Sequence, residues 1–156
     1  MRNQRKYVMT VLHELKNTNI MDQEIAELII GHEKVAHVQA ANPLDHALLI
    51  LIKSGYTAVP VLDTHYRVQG QISKAQVLDT ILGTERIEMD KLHEHTVESV
   101  MSEKVPKMNV NDNFGKALTL SINHPFVCIE DDEGAFVGLI TRRAILVMVH
   151  REFQSH

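Results

Sequence analysis

The chain has 156 residues, of which 44% are hydrophobic and 23% are charged, and its net charge is −4. That length suits one compact domain or two small halves around a shared core. The negative balance argues against general nucleic-acid binding, and no apolar run approaches the roughly 20 residues of a membrane span. The basic N-terminus lacks the apolar stretch of a signal peptide, and the single Cys128 cannot form an internal disulfide. We therefore expect a cytoplasmic protein.

Residues 1–33 are predicted to form an N-terminal helical segment. Helical spacing relates its first group of apolar residues, which are Tyr7, Val8, Val11, Leu12 and Leu15. A second helical stretch is predicted from Asp22 as its cap to Gly31 as its end, with Ile25, Leu28 and Ile29 on one face.

Residues 34–83 are predicted to form a unit of strand, helix, two strands and helix. A short strand at 36–39 precedes a helix capped by Asn42, with Pro43 at its first position and Gly55 at its end. The apolar run at 47–52 predicts that this helix is deeply buried. Strands at 57–62 and 67–72 form a hairpin around 63–66, and Ser73 caps a helix that ends at Gly83.

A charged connector at 84–95 leads to a second unit, residues 96–156, with the same order of elements. A short helix at 96–101 comes first, followed by a strand at 106–109 and a helix from the cap Asp112 to about Ile122. Strands at 126–129 and 135–140 form a hairpin around 131–134, and Thr141 caps the last helix.

The two units are copies of one another. Residues 55–63 correspond to 123–131, and 68–73 correspond to 136–141, both at an offset of 68 residues. Upstream, residues 43–48 correspond to 113–118 at an offset of 70. Shared spacing of turn, glycine and hydroxyl residues indicates an internal duplication.

This duplicated unit resembles the CBS-domain pair. The matching motifs are Val59-Pro60-Val61-Leu62-Asp63, the glycine-to-hydroxyl strand Gly138-Leu139-Ile140-Thr141-Arg142-Arg143, and the lead-in Thr96-Val97-Glu98-Ser99-Val100-Met101. The resemblance implies an α/β (α+β) fold of tandem CBS repeats with pseudo-twofold symmetry, N-terminal helices and assembly into a disc-like homodimer.

The resemblance also implies two clefts between the repeats. One would be lined by residues 34–37, 55–60 and 140–143, and the other by 105–107, 124–126 and 72–74. The first is favoured because free backbone amides at the start of a helix at Thr141, two arginines and a lysine can hold phosphate. A flat apolar rim at Ala36 and Tyr56 suits adenine. The predicted ligand-binding residues are Lys34, Ala36, Tyr56, Thr57, Val59, Ile140, Thr141, Arg142 and Arg143.

One departure from the family pattern bears on the nucleotide. Members that bind AMP or ATP usually carry an aspartate three residues after the hydroxyl residue, where it holds the ribose hydroxyls. Here those positions are Gln76 and Ala144. A ligand with an esterified ribose oxygen would not need that anchor.

Residues 83–88 and 126–130 add a similarity to the small stand-alone bacterial CBS proteins that bind cyclic di-AMP. That similarity implies a second-messenger receptor whose partners are the ppGpp synthetase/hydrolase Rel and pyruvate carboxylase.

Alternative interpretations stay open. The pair could sense AMP, ADP or ATP, or it could be a scaffold with vacant clefts. Arg142 and Arg143 could form a solvated turn, and Tyr56 could belong to the core or to a dimer interface. The ten histidines show no structural-zinc spacing, so no metal is expected. We predict no catalytic residue, no cofactor and no enzymatic activity.

Overall fold

The computed structural model describes residues 3–7, 9–10 and 20–155. The strands are, in chain order, β1 (Ile30–Gly31), β2 (Val38–Gln39), β3 (Ala58–Leu62), β4 (Val68–Ser73), β5 (Lys107–Asn109), β6 (Phe126–Glu130) and β7 (Phe136–Thr141). The helices are α1 (Leu44–Ser54), α2 (Lys74–Ile81), α3 (Lys91–Glu94), α4 (Val97–Val100), α5 (Phe114–Ser121) and α6 (Arg142–Gln154). Single 3₁₀ turns occupy Ile20–Asp22, Ala26–Leu28 and His32–Lys34.

The strands form two sheets, one for each repeat. The first has the order β2-β3-β4, and the second has the order β1-β7-β6-β5. In each, a short strand pairs parallel with the middle strand, which then pairs antiparallel with the next. Both hairpins shift register at equivalent places, between Val61 and Leu62 and between Ile129 and Glu130. The predicted duplicated α/β unit is confirmed.

Several predicted helix ends are confirmed by their hydrogen bonds. The Ser73 hydroxyl accepts from the Gln76 amide while the Gln76 side chain accepts from the Ser73 amide, which is a complete capping box. The Thr141 hydroxyl accepts from the Ala144 amide at the start of α6. Gly55 ends α1 in the left-handed region.

The predicted caps Asn42 and Asp112 are wrong, and they fail in the same way. The Asn42 side chain accepts from the Gln39 amide at 2.8 Å, and Asp112 accepts from the Asn109 amide at 2.8 Å. Both therefore close the turn after a strand instead of the helix that follows. Pro43 takes the cap position of α1, and Asn113 caps α5. The helix α2 also ends earlier than predicted, at Ile81.

The prediction for the second N-terminal stretch is corrected. The stretch from Asp22 to Gly31 is not a helix but a 3₁₀ turn followed by β1, which pairs antiparallel with β7. Pairing with β7 gives the backbone of this stretch hydrogen-bond partners that a helix would otherwise supply. The first predicted helix is confirmed as far as the structure describes it, since residues 3–7 and 9–10, which include Tyr7, are helical. Its other predicted positions, Val8, Val11, Leu12 and Leu15, lie outside the described residues.

The core of each repeat is covered by the segment that precedes the other repeat in the chain. The first lead-in (residues 20–31) buries Ile20 and Ile25 completely in the second repeat's core. The second lead-in (residues 92–102) places Leu92 and Val97 in the first repeat's core. The exchange is symmetric: the backbones at Gly138 and Gly70 lie against the carbonyls of Ile30 and Ser102, with no room for a Cβ.

A third apolar cluster lies where the two sheets meet. It draws on both repeats and contains Val35, Leu62, Val68, Phe126, Cys128, Phe136 and Leu139. The prediction that α1 is deeply buried holds for only one face, since Leu49 and Ile52 are 47% and 62% exposed. Among the described residues, no helix has the length and apolar character needed to cross a membrane.

Candidate functional site

A pocket lies between the repeats. Its walls come from three parts of the chain: the first lead-in and the segment before β2, the start of β3, and the hairpin of the second repeat. The lining residues are Ile30, Lys34, Val35, Ala36, Tyr56, Thr57, Ala58, Val59, Pro60, Pro125, Phe126, Leu139 and Thr141.

The inner wall of the pocket is apolar. Val35, Phe126 and Leu139 belong to the cluster between the sheets, and Ile30 packs against that cluster. At the rim, Tyr56 is 48% exposed and stands beside the exposed Thr57. A planar, apolar group could enter between the walls and keep polar substituents at the mouth.

One edge of the pocket is positively charged. Lys34 is the charged lining residue, and Arg142 and Arg143 directly follow Thr141. The lining residues include no carboxylate. Within the described chain none of these three cations forms a salt bridge with an acidic side chain. The edge is therefore suited to an anionic group.

The two arginines differ in their surroundings. Arg142 is half-buried, and its Nε donates to the Ser121 carbonyl at 2.8 Å, which ties α6 to the end of α5. The Arg142 amide donates to the Pro125 carbonyl at 2.9 Å. Arg143 is exposed. Its guanidinium is therefore the freer of the two to reach an anion.

The structure brings six of the predicted site residues into the pocket wall, namely Lys34, Ala36, Tyr56, Thr57, Val59 and Thr141. Arg142 and Arg143 directly follow the lining residue Thr141 in the chain but do not line the pocket. Ile140 does not line the pocket, because its side chain is completely buried in the second repeat's core. Strand alternation explains this, since Leu139 and Thr141 point to the opposite face.

The expectation of free amides at the start of α6 also needs correction. The Arg142 amide donates to Pro125 and the Ala144 amide donates to the Thr141 hydroxyl. Two of the first three amides of the helix therefore already have acceptors, and side-chain cations must supply most of the anion binding.

Sequence reasoning missed Ile30 and Leu139 and assigned Pro125 and Phe126 to the other cleft. Ile30 enters the site through the pairing of β1 with Leu139 and Gly138, which no local pattern indicates. Pro125 lies at the boundary of both clefts and lines each of them. The internal duplication could have indicated that Pro125 and Phe126 line this pocket. They correspond to Thr57 and Ala58, which also line it.

A second groove adjoins the pocket and shares Thr57, Ala58 and Pro125 with it. It reaches Ser73 and Lys74, as predicted for the second cleft, but residues 105–107, 124 and 126 do not line it. Its only cationic lining residue is Lys74, and the Gln76 side-chain oxygen Oε1 already accepts from the Ser73 amide in the capping box. The groove therefore offers less to an anion than the pocket does.

Reactive groups are scarce around the pocket. Burial raises the pKa of the Cys128 thiol to about 12, so that this side chain stays protonated and unreactive, as expected of a small buried residue. Among the described residues, no cluster of three or more histidine, cysteine or acidic side chains could hold a metal ion.

Comparison with known proteins gives a family for this architecture. The model of the CBS domain matches residues 25–83 and 97–151. Cyclic di-AMP receptor B of Bacillus subtilis is 43% identical over 141 residues, which cover 90% of this chain and 96% of that protein.

Solved structures support the same family. A CBS domain-containing protein of unknown function from Bacillus anthracis has 48% identity and a TM-score of 0.80, with 86% of this chain and 98% of that chain covered. The CbpB protein of Listeria monocytogenes in complex with c-di-AMP has 42% identity and a TM-score of 0.78, with 86% and 100% covered. The chain therefore belongs to the CBS-domain family, as a non-enzymatic pair of CBS repeats.

Proposed function

We propose that this chain is a signalling receptor that binds cyclic di-AMP in the pocket between its repeats. The observation that carries the proposal is an apolar wall with Lys34 and no carboxylate in the pocket lining, next to the Arg142-Arg143 pair that follows the lining residue Thr141. An adenine would lie between Ala36, Tyr56 and the apolar wall, and the phosphodiesters would face Lys34, Arg142 and Arg143.

The relatives support this choice of ligand. The Bacillus subtilis relative is named a cyclic di-AMP receptor, and the Listeria monocytogenes relative was solved with c-di-AMP. Both cover most of this chain at more than 40% identity.

The missing ribose anchor favours a cyclic dinucleotide over AMP, ADP or ATP. Ala144 stands where a carboxylate would hold free ribose hydroxyls, and its amide is bonded to Thr141. A charge-assisted hydrogen bond of that kind contributes about 1.5–3 kcal/mol, which a mononucleotide would lose here. In a cyclic dinucleotide the ribose 3′-oxygen is already part of the phosphodiester.

Binding would act on partner enzymes by linkage. A ligand that prefers one conformation, or covers one surface, shifts a partner's affinity by the ratio of its own affinities for the two states. We extend the proposal to a homodimer, and to Rel and pyruvate carboxylase as the partners implied by the family resemblance.

Isothermal titration calorimetry tests the ligand. We expect saturable binding of cyclic di-AMP at one molecule per chain, with AMP and ATP binding far more weakly. Cyclic di-GMP serves as a matched control, because it has the same phosphodiesters and a different base. Tighter binding of AMP or ATP would replace the proposal with an energy sensor, and no binding of any nucleotide would favour a scaffold.

A further inference from the structure

Tyr66 holds a backbone conformation that tyrosine rarely adopts. Its φ is 61°, and it is the only non-glycine residue with a positive φ among those the structure describes. The hairpin loop that contains it is closed by the Tyr66 amide, which donates to the Asp63 carbonyl at 3.1 Å. The left-handed region favours glycine, so a bulky side chain here requires an explanation.

The second repeat shows what the same turn looks like without that side chain. The equivalent position, 68 residues later, is Gly134, with φ 82°. Its amide donates to the Asp131 carbonyl at 3.0 Å, so that the two turns are closed alike. The turn itself therefore does not need a tyrosine, and the reason for Tyr66 must lie in the contacts of its ring.

The ring contacts both ends of the segment that forms one wall of the pocket. His32 meets it edge-on, with ring centroids 5.6 Å apart and planes at 86°, and His37 does so at 5.5 Å and 66°. The Tyr66 hydroxyl also lies 3.5 Å from the His37 Nε2. The lining residues Lys34, Val35 and Ala36 lie between these two histidines in the chain.

The backbone of Tyr66 reaches the opposite wall. Its carbonyl accepts from the Phe136 amide at 2.9 Å, where β7 begins. That strand carries Leu139 and Thr141 into the pocket. Tyr66 thus connects the two walls, one through its ring and the other through its carbonyl.

We propose that Tyr66 is a positioning residue, whose ring holds the wall segment 34–36 in the arrangement that binds the nucleotide. This inference rests on the proposed function, since its readout is the affinity for cyclic di-AMP. Edge-to-face contacts are favourable beyond the area they bury, and two of them restrict the segment at both ends. Without the ring, the binding-competent arrangement is populated less, and the measured affinity falls by the same factor.

The test is calorimetric titration of Tyr66→Gly with cyclic di-AMP. Glycine keeps the positive φ without strain, so this change removes the ring and leaves the turn intact. We expect binding about tenfold weaker, from the loss of two aromatic contacts. Tyr66→Phe keeps the ring and should restore affinity to within about twofold of the unmodified protein. Tyr66→Asn also tolerates positive φ and should behave like Tyr66→Gly.

His65→Ala is the matched control. His65 is exposed on the same loop, its ring lies 3.5 Å from the Thr64 hydroxyl, and it does not line the pocket. Its removal should leave affinity unchanged.

A double-mutant cycle separates positioning from general loosening of the fold. If the Tyr66 ring acts through the wall segment, then Tyr66→Gly and His37→Ala together should weaken binding by less than the product of their separate effects. Unchanged affinity in both Tyr66→Gly and Tyr66→Asn, or strictly multiplicative effects in the cycle, would overturn the inference. Failure of the unmodified protein to bind cyclic di-AMP would instead overturn the proposed function.

Discussion

The two adjacent arginines at the start of α6 illustrate how one charge type can take different roles. Arg142 holds the Ser121 carbonyl through its Nε, whereas Arg143 is exposed and forms no salt bridge within the described residues. Arg142 therefore contributes to the packing of α6 against α5 as well as to the charge of the pocket edge. From the sequence alone, both arginines were predicted to bind the ligand.

We predict that Arg143→Ala weakens cyclic di-AMP binding by at least about tenfold, which corresponds to the loss of a charge-assisted hydrogen bond. Thermal unfolding of the free protein should not change. Arg142→Ala should weaken binding and also lower the unfolding temperature, because the Ser121 carbonyl loses its donor. Titration calorimetry and thermal unfolding on both variants measure the two effects. Equal unfolding temperatures for Arg142→Ala and the unmodified protein would contradict the structural role.

Cys128 gives a prediction for alkaline pH. Burial raises the pKa of its thiol from 9.0 to about 12, so the folded chain keeps a proton that the unfolded chain releases. The unfolded state then binds fewer protons, and the free energy of unfolding decreases from about pH 9 upward to about pH 12. Below pH 9 this contribution is fully present.

Urea unfolding at a series of alkaline pH values measures this dependence. Cys128→Ala should be less stable throughout, because it leaves a small cavity, but its free energy of unfolding should fall less steeply with pH. Lysine and tyrosine ionisation is common to both proteins and cancels in the comparison. Parallel curves would show that Cys128 does not contribute to the alkaline loss of stability.

Of the four helix caps predicted within the repeats, the structure confirms Ser73 and Thr141 and contradicts Asn42 and Asp112. Thr141 and Ser73 were identified correctly because a hydroxyl residue directly followed a strand with a glycine at a fixed distance. Asn42 and Asp112 also match a cap pattern, but each is followed by one more residue before the helix begins. The side chain that closes a turn and the side chain that caps a helix are of the same types, so spacing alone cannot separate them.

We predict that Thr141→Ala and Asn113→Ala lower the free energy of unfolding by similar amounts but differ in their effect on ligand binding. Each removes a side chain that accepts a helix amide, which typically costs about 1 kcal/mol of stability. Only Thr141 lines the pocket, so only its loss should also weaken cyclic di-AMP binding. Denaturant unfolding and calorimetry on the pair measure this, and equal affinities for the two variants would remove Thr141 from the site.

The first lead-in adopts a structure that its local sequence pattern does not predict. Ile25, Leu28 and Ile29 fit a helical face, yet the chain instead forms a 3₁₀ turn and a strand. What decides the outcome is β7, more than 100 residues further along the chain, which offers its backbone to Ile30 and Gly31. The same long-range pairing brings Ile30 into the pocket, and sequence reasoning missed it for that reason.

For the whole molecule, the exposed apolar residues on the helices bear on assembly. Leu49 and Ile52 on α1, Leu78 on α2, and Leu146 on α6 are all between 46% and 62% exposed. Packing of a second copy against these helices would remove these apolar side chains from water. The proposed homodimer would use such a surface.

We predict that Ile52→Glu converts a dimer into a folded monomer, because a buried charge would oppose the contact. Size-exclusion chromatography with light scattering measures the mass, and circular dichroism checks the fold. Ile87→Glu, at an equally exposed position on the connector, serves as the control and should leave the mass unchanged. A monomeric unmodified protein would contradict the proposed dimer.

The exchange of lead-ins between the repeats limits how such a chain could have arisen. A single repeat on its own would expose the core that Ile20 and Ile25, or Leu92 and Val97, now cover. Its own lead-in would have no core to join. A half-length ancestor would therefore have been complete only as a pair of identical chains, each lending its first residues to the other. Gene fusion would then have preserved that dimer within one polypeptide, and its two halves could diverge, so that equivalent turns now carry tyrosine in one repeat and glycine in the other.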